Sequence, residues 1–107
     1  MIIRTWKALT THGLLPDYLA QVRSVALPHL NSCCGYLSGE FTTRELADGS
    51  IEVLVLTFWE SVDALAAFAG ENSSQSYMPA EIAATLQSYD TTSDHYVVAI
   101  SDRGETS

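Results

Sequence analysis

Basic residues are scarce in this chain. Of 107 residues, five are Lys or Arg and thirteen are Asp or Glu, for a net charge of −8. The five bases, Arg4, Lys7, Arg23, Arg44 and Arg103, are scattered along the sequence. Phosphate backbones and anionic bilayers are held by clustered cations, so the charge argues against nucleic acid or membrane as a partner. Cysteine is as sparse. Cys33 and Cys34 are adjacent, and neighbours in sequence rarely bridge, so they build no disulfide framework and point to a reducing cytoplasm. His12, His29 and His95 lie far from the two thiols and from one another, without the ligand spacing of a zinc site, so no metal is expected. No run approaches the roughly 20 apolar residues of a membrane span. The opening Met1 to Lys7 lacks the basic-then-apolar order of a secretory leader. The glycine-rich nucleotide loops, the nucleophile elbow and the HExxH zinc motif are all missing.

What is present reads as one globular domain. Hydrophobic residues make up 47% and charged residues 17%. A chain of this mass can bury about 65% of its unfolded surface, enough for one core but not for separate cofactor and substrate lobes. The domain is expected over residues 1–100, with 101–107 a polar tail.

The element order follows from local pattern. Ile2 to Leu9, rich in β-branched and aromatic residues, predicts a strand. Leu15, Tyr18, Leu19, Val22, Val25 and Ala26 recur at helical spacing, with Pro16 suited to the first turn. Pro28 predicts an end or bend near Leu27. A glycine-bearing strand, with close packing or a bulge, is expected between Asn31 and Arg44. Asp48-Gly49 predicts a hairpin turn, and Ile51 to Trp59 the strongest strand. Ser61 is the expected N-cap of a helix through Val62, Leu65, Ala66 and Ala69, stopped by Gly70. Pro79 opens a further helical stretch with Ile82, Leu86 and Tyr89 on one side, and Thr91 to Ile100 is the last strand. This is α+β: a ferredoxin-like βαββαβ order with an extra short helix and an antiparallel sheet.

Two strands do not alternate as a sheet with one wet face should. Ile51, Val53, Val55 and Trp59 share one parity, and Leu54, Leu56 and Phe58 fill the other. His95 to Ile100 is apolar on both parities. The helices cover one face. A second copy, sheet against sheet, is the expected cover of the other, giving a homodimer.

Few residues offer chemistry. Arg4 and Trp6 share a strand face, where an arginine can stack on its neighbour or hold an anionic group; a solvated arginine beside a core tryptophan is the plain alternative. His95 could act as a general base near neutral pH, or be a satisfied structural histidine. Trp59, Phe68, Tyr77, Met78 and Tyr89 could line a pocket for a flat ligand, or simply be core.

Arg4-x-Trp6, Tyr18, Trp59-Glu60-Ser61, Phe68-Ala69-Gly70, Tyr77-x-Pro79-Ala80-Glu81 and His95-Tyr96-x-Val98 occur in an order and at spacings that carry a resemblance. From Ile2 to about Ile100 the chain resembles the antibiotic biosynthesis monooxygenase-like family of dimeric α/β barrels. The resemblance implies a ferredoxin-like protomer paired through its sheet into a dimeric barrel. It also implies oxidation of a small aromatic or polycyclic phenol by dioxygen, without metal or flavin. His95 and Arg4 are then the expected catalytic groups, with Trp6, Trp59, Phe68 and Tyr77 as walls of the substrate site. A haem-degrading branch carries Asn, Trp and His where this chain has Trp6, Phe68 and Met78, which disfavours that activity. A non-catalytic or stress-associated ligand-binding relative, or an assembly module whose aromatics are only core, are the alternatives.

Overall fold

The computed structural model describes residues 1–69, 78–102 and 104. Its strands form one sheet in the order β2-β3-β1, with β4 and β5 both paired to β1. β1 is Ile2–Thr10, β2 Tyr36–Glu45, β3 Ile51–Trp59, β4 Ser88–Tyr89 and β5 Asp94–Val97. All pairings are antiparallel. β1 and β3 run in unbroken register from Ile2 opposite Trp59 to Thr10 opposite Ile51.

Burial along these two strands alternates residue by residue, because successive side chains point to opposite faces. Ile2, Arg4, Trp6, Ala8 and Thr10 of β1 lie beneath the helices with Ile51, Val53, Val55, Thr57 and Trp59 of β3. The opposite face carries Ile3, Thr5, Lys7 and Leu9 beside Glu52, Leu54, Leu56 and Phe58. These residues are half-buried, apart from the exposed Lys7.

At Pro28 the first helical stretch continues, so of the end or bend expected there the end does not occur. α1 (Leu15–Gln21) does not stop near Leu27. It passes through a π-helical turn, Val22–Ala26, into α2 (Leu27–Asn31). Proline donates no N–H and its ring crowds the carbonyl four residues back. The wider turn accommodates both, with the Leu27 N–H donating to the Val22 carbonyl, five residues back. The stripe therefore continues as Tyr18, Val22, Ala26 and Leu30, all buried on the sheet.

The expected irregularity in the second strand is present. Gly35 turns the chain at φ +87°, and a bulge between Tyr36 and Ser38 resets the parity of β2. Tyr36, Gly39 and Phe41 then share a face with Trp59, Thr57 and Val55. Asp48-Gly49 forms the expected turn. Gly49 has φ +88°, and the Asp48 carboxylate accepts from the Ser50 N–H at 2.9 Å and its hydroxyl at 2.6 Å. These bonds hold the Asp48 carboxyl below its ordinary value. Ser61 caps α3 (Val62–Ala69), its Oγ accepting from the Ala64 N–H at 3.2 Å. Gly70, the expected stop, lies outside the described residues.

The last segment is the main departure. α4 is only Ala80–Ala83. Tyr89, expected on its apolar side, lies on β4, opposite Ala8. The last strand is not continuous from Thr91 to Ile100. β5 is four residues long, and all four are exposed. Between β4 and β5 the indole N–H of Trp6 donates to the Asp90 carbonyl at 2.7 Å. The buried core of β1 thus holds the break in the edge strand. No described helix is long and apolar enough to cross a membrane.

Candidate functional site

Between the helices and the sheet lies a cavity of about 50 Å³. Trp6, Val55 and Phe41 form its floor on the sheet, and Val22, Ala26, Leu30 and Ile82 close it from the helices. Phe68, at the end of α3, and Met78, just before α4, line it from the remaining side. Three polar side chains enter this apolar lining: Arg4, Tyr18 and Thr57.

Arg4 stands mid-way along β1 and is 7% exposed. Burial pushes its guanidinium down to about 10, so it remains a cation at neutral pH. Its guanidinium carbon lies 5.4 Å from the centre of the Phe68 ring, within cation–π range. Tyr18 is 2% exposed, and burial pushes its phenol up to about 12. It is therefore a neutral hydroxyl, able to donate. Thr57 faces Arg4 across the β1–β3 ladder, and its Oγ1 accepts from the Trp59 indole N–H at 2.9 Å. Its own proton can still be donated. At neutral pH these three groups supply donors, and no described lining residue is a base.

The expected site residues divide. Arg4, Trp6 and Phe68 converge on the cavity. Trp59 is fully buried and stands behind Phe68, ring centres 5.1 Å apart, rather than in the lining. His95 is opposite Arg4 in the β1–β5 ladder. It is exposed, its Nε2 is 3.4 Å from the Ser93 hydroxyl, and it is not among the described lining residues. Tyr77 lies outside the described residues. Tyr18 and Thr57 are not among the expected site residues. The signal for Tyr18 was its place in the buried helical stripe. For Thr57 it was a lone hydroxyl on the apolar parity of β3. Among the described residues no cluster of His, Cys, Asp or Glu could hold a metal ion.

No family model and no curated protein matches the chain. Solved structures do. A candidate antibiotic biosynthesis monooxygenase from Bacillus cereus superposes with a TM-score of 0.64 at 18% identity, covering 96% of this chain and 97% of that one. The chain has the fold of the antibiotic biosynthesis monooxygenases. SnoaB, a cofactor-independent oxygenase from Streptomyces nogalater, shares that monooxygenase fold with a TM-score of 0.53 at 17% identity, over 97% of this chain and 98% of its own. A point mutant of MhuD, with two manganese protoporphyrin IX bound per active site, superposes with a TM-score of 0.60 at 17% identity, over 97% and 100%.

Proposed function

We propose that the chain is a monooxygenase-like protein that oxidises a small aromatic phenol with dioxygen, without metal or flavin. The observation that carries this reading is a buried cation, Arg4, joined by a neutral buried phenol, Tyr18, and the Thr57 hydroxyl in an otherwise apolar cavity. Such a site favours an oxyanion on a flat apolar body, because fixed donors in a dry cavity stabilise developing charge. The fold shared with a cofactor-independent oxygenase supports it. In the reaction, the substrate's hydroxyl is deprotonated and the electron-rich ring reduces dioxygen. One oxygen atom ends as a ring carbonyl, the other leaves as water, and the substrate supplies both hydrogens and all four electrons. Arg4 holds the phenolate. His95, opposite Arg4 in the ladder, is the proposed proton acceptor. Trp6, Phe68 and Tyr77 are proposed as walls, with Trp59 supporting Phe68.

The residues do not fit haem. No imidazole is among the described lining residues to ligate the iron. The working form is proposed to be a cytoplasmic homodimer, with a second copy covering Ile3, Leu9, Leu54, Leu56 and Phe58. Binding without turnover at the same cavity is the second reading.

Dioxygen uptake by chelator-treated protein, with anthrone- and naphthol-type phenols, tests the proposal. Protein-dependent uptake that falls sharply in Arg4→Met and His95→Ala supports it. Uptake unchanged in His95→Ala removes that residue from the mechanism. Tight phenol binding with no uptake favours the second reading.

A further inference from the structure

The cavity is too small for the ligand its chemistry suits. An emptied side-chain site of about 150 Å³ holds one benzene ring, and this cavity offers about 50 Å³. A side chain must move before any ring enters. Most of the lining is held in place. Trp6 is tied to the Asp90 carbonyl, Tyr18 is 2% exposed, and Arg4 and Thr57 face each other within the β1–β3 ladder. Phe68 differs. It is half-buried on the last turn of α3, one turn beyond Leu65, which anchors that helix at 1% exposure. Its ring has the surroundings an aromatic ligand would seek. The Arg4 guanidinium is 5.4 Å from its centre, the Trp59 ring 5.1 Å and the His29 ring 5.4 Å.

We propose that Phe68 holds the place of the substrate's ring beside Arg4 and Trp59, and so sets the size of aromatic that the cavity admits. The ligand must displace this ring, and it regains with Arg4 and Trp59 the contacts that Phe68 gives up. In the wild type a ring enters only at the expense of Phe68. Removing the Phe68 ring leaves its place empty next to the existing cavity, so a two-ring ligand can reach both. This inference rests on reading the cavity as a site for phenols.

Binding of 4-nitrophenol, with one ring, and 1-naphthol, with two, is measured for the wild type, Phe68→Ala and Phe68→Leu. Phe68→Ala is expected to bind 1-naphthol about ten- to a hundredfold tighter than the wild type, the scale of one aromatic pair plus one cation–π contact. The gain for 4-nitrophenol should be smaller. Adding Arg4→Met to Phe68→Ala should remove most of the naphthol gain. Should Phe68→Ala unfold, Phe68→Leu decides the same question and must shift the naphthol-to-nitrophenol preference in the same direction. An unchanged preference in a folded variant overturns the proposal. So does a naphthol gain that survives Arg4→Met, since the ring would then sit elsewhere. A naphthol gain without any dioxygen uptake leaves Phe68 as the size determinant and rejects the monooxygenase reading. Uptake without the gain does the reverse.

Discussion

Replacing Arg4 by Met should make the protein more stable while weakening its hold on phenolates. Arg4 sits at 7% exposure, and burial lowers its guanidinium from the ordinary arginine value to about 10. That drop corresponds to about 3 kcal/mol against keeping the charge in the folded state. The sign follows from proton linkage. Between about 10 and the ordinary arginine value the unfolded chain binds more protons, so stability rises with pH there. Below about 10 the full cost is present, including at neutral pH. Methionine keeps most of the apolar stem and removes the charge. It also removes the cation–π contact with Phe68, worth about 1–2 kcal/mol when desolvated. Desolvation set against the Phe68 contact leaves a gain of about 1–2 kcal/mol, or roughly 5–10 °C in Tm for a domain of this size, before any other contact of the guanidinium is counted. Thermal unfolding followed by circular dichroism, at one protein concentration and pH 7, reads it directly. Arg4→Lys, which keeps a charge, should show no such gain. A loss of more than about 1 kcal/mol in Arg4→Met would refute the reasoning, because it would make Arg4 a structural residue rather than one held against its own solvation.

Leu65→Ala, at the buried anchor of α3, should cost about 2–5 kcal/mol in urea unfolding with an unchanged m-value. Gly35→Ala should cost at least about 2 kcal/mol, because φ is +87° and the new Cβ would stand 2.4 Å from that of Ala64. Leu56→Lys, on the open sheet face, should yield a folded monomer by sedimentation; a persisting dimer would remove the sheet face as the interface. The difference in alkaline absorbance titration between wild type and Tyr18→Phe should show one phenol ionising near 12. Absorbance is the right readout here, because Tyr18 ionisation lowers stability between the ordinary phenol value and about 12 while Arg4 deprotonation raises it over an overlapping range.

Much of this protein is determined locally. The apolar parity of Ile51–Trp59, the Asp48-Gly49 turn and the Ser61 cap rest on side-chain alternation, a positive φ and a local hydrogen bond, so they are legible without any partner. The two-sided apolar character of β3 likewise announces a sheet face left open by the helices. Tertiary context decided the rest. Pro28 ends a helix by its own chemistry, but the burial of Ala26 and Leu30 on the sheet carries the chain through by a π turn. Residues 94–97 have strand composition, yet β5 lies exposed at the sheet's edge, so His95 has the register of Arg4 without its burial. The helical stripe named Tyr18 as core. Only the packing of α1 on β1 and β3 places it with Arg4 and Thr57 around one cavity, because that convergence joins residues distant in sequence and no local spacing encodes it.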